Sequence, residues 1–312
     1  MWPFRLKTMD ENEWTSVVFS GHRIDVARVR RDPGKRPEVV GWDSYVREGT
    51  DLDGLKRLRG GRRFGSGRCT LLLPHGQYQA LQIEAPSVAE NELRDAVRWR
   101  VKDMVDFPVD AAGIGCLPPV AAAGRSAQIY VVAVSQNVLK SWIHLFQDVK
   151  VPLHVIDVPE LAQRNISALF EDQNRGLALL AFDESGGRLT FTYQGELYFA
   201  RHIEVAPGEM SSAHGDATAL YERVLLDVQR TLDNVDRSYS AIPIARLLVS
   251  PPPGAANFVG YLKENLYQPV EMLDLGRRVD LGRVPALSDP AVQGAALLAI
   301  GAALRHEERA ST

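Results

Sequence analysis

The order of hydrophobic patterns along the 312-residue chain predicts an α/β protein with mixed sheets. Three observations carry that expectation. The chain opens with short β-branched runs, 15-TSVVF-19, 23-RIDVARV-29 and 38-EVVGW-42, separated by Gly21-His22 and by Asp32-Pro33-Gly34, which reads as a three-stranded meander. Strand-like and helix-like patterns then alternate from residue 128 onward. A hairpin, 188-RLTFTY-193 and 196-ELYFARHI-203 joined at Gln194-Gly195, precedes a long helix and a strand–helix–strand unit. The second half thus repeats the element order of the first, without any residue-level repeat.

Each element has its own signal. After the meander comes a basic, glycine-rich segment, 56-KRLRGGRRFGSGR-68, expected to be a loop. Strands 69-CTLLL-73 and 79-QALQIEA-85 follow. Ser87 and Glu90 have capping-box spacing, so a helix is expected from there, with Leu93, Val97, Val101, Met104 and Val105 on one face. Phe107-Pro108 ends it, because proline lacks a donor and restrains its predecessor. The strand 128-QIYVVAV-134 leads into a helix beginning near Ser135, and 153-LHVID-157 into one opening at Pro159. The buried run 177-LALLAF-182 precedes the hairpin. Beyond a polar linker over 207–216, Leu220, Val224, Val228, Leu232, Val235 and Tyr239 mark the long helix. Then come 245-ARLLVS-250, a helix over 256–266 and 269-PVEML-273. The last helix is expected from an N-cap at Ser288 and Pro290 to about His306; apolar nearly all round, it should pack between other elements.

Composition narrows the function classes. Hydrophobic residues make up 45% and charged residues 24%, with a net charge of −3, so bulk charge points away from nucleic acid. Cys69 and Cys116 have no CxxC spacing, which excludes a disulfide framework or zinc ribbon and fits a reducing compartment. No signal peptide is visible, and the most apolar stretch, 291-AVQGAALLAIGAAL-304, is shorter than the roughly 18 residues that span a bilayer. A cytoplasmic protein is expected. His75, His144, His154, His202 and His214 show no metal-ligand spacing, and no nucleophile signature is present. The Lys56 to Arg68 segment reads as a solvated linker or, more sharply, as a peripheral contact with anionic inner-leaflet lipid.

Three stretches together resemble a known family. They are 94-RDAVRWRVKDMVDFPVDAAGI-114, 130-YVVAVSQNVLKSWIHLFQDVKVPLHVIDVPELAQRN-165, and 194-QGELYFARHIEV-205 with 221-YERVLLDVQRTLDNVDRSY-239. They are similar to motifs of the PilM-like pilus assembly proteins, relatives of the cytoplasmic part of GspL from type II secretion. The resemblance covers roughly residues 14–306. It implies an actin-like (ribonuclease H-like) two-lobed α/β fold with mixed sheets and a small inserted subdomain. The expected division is 1–157 for lobe I with an insert at about 44–118, 158–287 for lobe II, and 288–312 as a C-terminal helix packing back on lobe I.

The resemblance also implies a nucleotide site, and its three elements can be tested residue by residue. Actin-like proteins hold Mg-nucleotide between two D-x-G turns and a glycine pair, where backbone N–H groups approach the phosphates. In the first turn, alignment puts Val18 at the aspartate and Ser20 at the glycine, with Asp25 in place of a lysine. A carboxylate there would repel phosphate. In the second, Ala181 falls at the aspartate and Asp183 at the glycine, so Asp183 only looks like a phosphate-loop acid. In the third, the glycine-rich loop reads 250-SPPPGA-255; three prolines remove N–H donors and only Gly254 survives. No metal and no cofactor is expected, with Mg-ATP in a minor place, and no catalysis.

Function follows as an expectation: a cytoplasmic assembly factor of a type IV pilus machine. It would bind the N-terminal cytoplasmic segment of a bitopic, PilN-like inner-membrane protein, with the assembly ATPase as a further partner. Trp99 and Phe107 are apolar groove candidates, and Asp103 and Asp106 acidic ones. The opposing class is an active actin-like ATPase, and the D-x-G pair that would mark it is missing at both places.

Overall fold

The structure, a computed structural model, describes residues 10–61, 63–122, 125–205, 207–210 and 217–306. Along the chain come β1 (Glu13–Phe19), β2 (Arg23–Arg30), β3 (Glu38–Val46), α1 (Asp51–Gly60), β4 (Arg68–Leu72), β5 (Gln79–Glu84) and α2 (Glu90–Arg100). Next are β6 (Ala112–Cys116), β7 (Val120–Ala122), β8 (Arg125–Ser135), α3 (Gln136–Asp148), β9 (Val155–Asp157) and α4 (Pro159–Ser167). The hairpin strands β10 (Gly176–Asp183), β11 (Gly186–Tyr193) and β12 (Glu196–Ile203) precede α5 (Thr218–Ser238). The chain closes with β13 (Ile244–Ser250), α6 (Ala256–Asn265), β14 (Val270–Met272) and α7 (Pro290–Ala303).

These elements form two compact units. The first comprises Met1–Leu73, Ile143–Ile166 and Leu275–Thr312; the second comprises Pro74–Trp142 and Ser167–Asp274. The expected boundaries at 157 and 287 fall elsewhere, and residues 74–142 group with the second unit.

In the first unit five strands run in the order β3-β2-β1-β4-β9. The meander β1–β3 is antiparallel, and β4 and β9 continue it in parallel. β1 is buried along nearly its whole length, with only Val18 partly exposed. The helix α7 packs on this sheet through Ala296, Leu297, Ile300 and Ala303, all buried. Two hydrogen bonds fix it: the Ser16 hydroxyl donates to the Ala299 carbonyl (2.6 Å), and the Asn165 side-chain amide to that of Gly301 (2.9 Å).

The second unit repeats the same order of connections, β12-β11-β10-β13-β14. Again an antiparallel three-stranded meander is followed by two parallel strands. Its core joins Ala178 and Leu180 of β10 and Leu247 and Val249 of β13 to Val224, Val228 and Leu232 of α5 and Phe258 and Leu262 of α6. A smaller sheet, β5-β8-β6 with β7 alongside, packs Ile83, Ile114, Ile129 and Val131 against Val97 of α2 and Val101. That small sheet lies within residues 79–135, in the stretch that groups with the second unit.

Three local expectations are corrected. The basic segment is not a loop throughout: Asp51–Gly60 is helical, nucleated by a Thr50–Asp53 capping box, with Asp51 and Asp53 at the positive end and Arg57 and Arg59 at the negative end. The cap expected at Ser87 does not form; α2 begins at Glu90 behind Ala89 and ends at Arg100, so Met104 turns outward instead of joining the buried face. The final helix is capped by Asp289, whose carboxylate accepts the Ala291 N–H at 2.9 Å, because Pro285–Ser288 forms a separate 3-10 turn. Residues 211–216 of the expected linker lie outside the described residues.

Candidate functional site

The β10–β11 turn lies in the second unit. Ala181 sits within the ladder, paired with Arg188 on β11 and Ser250 on β13, and presents only a buried methyl. Asp183 ends the strand facing Gly186. Its Oδ1 accepts the Ser185 N–H at 2.7 Å and the Ser185 hydroxyl, and its Oδ2 accepts the Arg188 guanidinium at 2.9 Å. The Arg188 side chain is 3% exposed. Burial alone would raise the Asp183 carboxyl, but the Arg188 charge and the Ser185 hydrogen bonds outweigh it and hold it below the usual carboxylate range. Gly186 adopts φ +132°, and a Cβ there would lie 2.7 Å from the Ile203 carbonyl oxygen, so the turn is pressed against β12. Both carboxylate oxygens of Asp183 are engaged within its own hairpin.

Next to this turn the chain leaves β13 through Pro251-Pro252-Pro253-Gly254 and enters α6. None of the three prolines has an N–H to offer. The Ala255 N–H is directed to the Pro252 carbonyl (3.1 Å), and Gly254 has φ +78°.

In the first unit Val18 is in the ladder between Asp25 and Leu72. The Ser20 N–H and hydroxyl both donate to the Arg23 carbonyl, at 2.9 and 3.1 Å, and the Ser20 carbonyl accepts from Arg47 (3.0 Å). Asp25 is buried and lies 3.4 Å from the Arg23 guanidinium. Among the described residues no cluster of three or more His, Cys, Asp or Glu is placed to hold a metal ion. Cys69 is inert, its thiol pushed up to about 12 by burial.

The partner candidates all belong to the second unit, on and after α2. Trp99 is 71% exposed, with the Lys102 ammonium 5.6 Å from its ring centroid. Asp103 is also exposed, and Met104 and Val88 are exposed apolar residues in the same segment. Asp106 is tied to Gln79 by two hydrogen bonds, its Oδ2 accepting at 2.6 Å and its N–H donating at 3.1 Å. Phe107 packs against the cluster of Val97, Val101 and Ile129. Sequence reasoning missed Arg188, a strand residue whose charge gave no hint of burial, and Met104, which helical spacing assigned to the core.

Comparison with known proteins places the fold. No family model and no curated protein matches the sequence. The chain has an actin-like α/β fold with mixed sheets. A Bacteroides thetaiotaomicron protein of actin-like ATPase fold and unknown function superposes with a TM-score of 0.52 at 8% identity, over 89% of this chain and 96% of that one. A higher likeness is to the PilM–PilN type IV pilus biogenesis complex, with a TM-score of 0.73 at 15% identity, over 93% of this chain and 97% of that one. No helix among the described residues is long and apolar enough to cross a membrane.

Proposed function

We propose that the chain is a non-catalytic actin-like scaffold of a type IV pilus assembly machine, working at the cytoplasmic face of the inner membrane. The observation that supports the loss of catalysis is the closed β10–β11 turn. Ala181 supplies no ligand oxygen, Asp183 is spent on Arg188 and Ser185, and the neighbouring proline loop lacks the N–H groups a phosphate needs. These residues do not fit Mg-nucleotide. The likeness to the PilM–PilN complex supports the assembly role and a PilN-like partner. The motifs resemble most the MSHA-type member of that group, MshI, whose partner by analogy is MshJ.

The partner would be a bitopic membrane protein whose short cytoplasmic N-terminus combines apolar side chains with a basic residue. Trp99 and Met104 supply the apolar surface and Asp103 the acidic one. Asp106 and Phe107 act from behind, bracing the segment through Gln79 and the small-sheet core. The test is a pull-down of inner-membrane proteins with the full chain and with Trp99→Ala, each with and without Mg-ATP. Capture of a pilus-assembly protein, indifferent to Mg-ATP and diminished in the variant, is expected. Recovery of no such protein, or recovery only with Mg-ATP, contradicts the reading.

A further inference from the structure

The first unit contains a cavity of about 480 Å³ that the scaffold role does not use. It is lined by Arg28 of β2, Arg59 of α1, Phe64 and Gly65 of the α1–β4 connection, and Lys150, Val151 and Pro152 after α3. The volume falls within the range of small-ligand sites. Three basic residues thus border one opening, beside Phe64, Val151 and Pro152. Arg28 is partly offset by the buried Glu13 carboxylate at 4.0 Å, which is shared with Arg30 at 3.2 Å. Neither Arg59 nor Lys150 has an ion-pair partner among the described residues.

The backbone at Lys150 is a second, independent feature. The α3 C-terminus closes in a Schellman pattern, with the Val151 N–H donating to the Phe146 carbonyl (3.0 Å) and the Lys150 N–H to that of Gln147 (2.9 Å). The left-handed residue of such a cap is usually glycine, yet Lys150 holds φ +53°. A lysine occupies a strained backbone position at the edge of the cavity.

We propose that this cavity binds a phosphate-bearing anion, with its phosphate held by Arg28, Arg59 and Lys150 and an attached apolar group against Phe64 and Val151. Arginine forks and a lysine point charge suit phosphate oxygens. This chemistry is shared by an anionic phospholipid headgroup and a soluble phosphate compound. The site is independent of the Trp99 surface, so it stands or falls apart from the partner assignment.

The experiment uses the full chain in two arms. Calorimetric titration with inorganic pyrophosphate and with a soluble short-chain phosphatidylglycerol forms one; co-sedimentation with phosphatidylcholine vesicles, with and without phosphatidylglycerol, forms the other. Binding of the short-chain lipid and of phosphatidylglycerol vesicles identifies a headgroup site, and binding of pyrophosphate alone identifies a soluble phosphate site. In either case the Arg59→Gln/Lys150→Gly pair should weaken binding by about thirtyfold, about fivefold per basic residue. The single Lys150→Gly variant separates structure from binding: its melting temperature should hold or rise while its affinity falls. Absence of binding in both arms, or binding unchanged in the pair, overturns the proposal.

Discussion

Asp183 and Arg188 form the most consequential pair of side chains in the second unit. Arg188 is almost wholly enclosed and pairs with the Asp183 carboxylate at 2.9 Å. Removing Arg188 takes the charge partner from a largely buried carboxylate, which costs more than the pair contributes. Arg188→Met should therefore destabilise the protein by about 3 kcal/mol, the low end for such pairs because Asp183 keeps some solvent contact, as read by chemical denaturation. The pH dependence follows from the same pair. Asp183 binds its proton less readily folded than unfolded, so its stabilising contribution is complete above the ordinary carboxylate value of 3.8 and is lost as the pH falls below it. Asp157 behaves oppositely. Burial pushes its carboxyl up despite the Arg305 guanidinium at 2.8 Å and the Val158 N–H, so it favours the fold at low pH and loses that contribution as the pH rises from 3.8 through its raised value. Melting temperatures across the acid range should fall less steeply toward low pH in Asp183→Asn. In Asp157→Asn the decline toward neutral pH should be the shallower one.

At the scale of elements, strands were more legible than helix ends. Apolar and β-branched runs bounded by Gly/Pro turns located β1 to β5 and β8 to β14 within a few residues, including β10 and β11, which are buried on both faces. Helix starts depend on a single side-chain hydrogen bond, and the sequence offers rival donors and acceptors for it. Ser87 and Ser288 have the right chemistry, but the chain bends after each, and Ala89 and Asp289 take the cap positions instead. The helix α1 was hidden by its arginines and glycines, although the T-x-x-D of Thr50–Asp53 was there to be read. The packing of α7 yields a further test. A Cβ on Gly301 would lie 2.3 Å from the Ala162 carbonyl oxygen, so α4 and α7 meet there at backbone distance. Glycine to alanine inside a helix would ordinarily gain about 1 kcal/mol. Gly301→Ala should instead lower stability by about 1–3 kcal/mol, since the collision is with backbone. On α2, Trp99→Ala should leave the melting temperature unchanged, because the ring is 71% exposed, yet weaken partner binding about thirtyfold.

For the molecule as a whole, the repeated order of connections in the two units is the signature of the fold, and it was readable as a repeat of element order. The assignment of residues 74–142 to the second unit was not, since the contacts that decide it, such as Gln82 to the Tyr198 carbonyl and the Tyr239 hydroxyl, join residues more than a hundred positions apart. Substitutions at the expected nucleotide positions were legible as chemistry: Ala181, Asp183 and the three prolines stand in the sequence. What the sequence could not display was that Asp183 is engaged by Ser185 and Arg188, and Ser20 by Arg23 and Arg47. An actin-like chain built this way should hold its form without nucleotide. The measurement that tests this most directly is calorimetric titration of the full chain with Mg-ATP, paired with its melting temperature. No binding heat and no thermal shift are expected. Micromolar Mg-ATP binding accompanied by a raised melting temperature would contradict it.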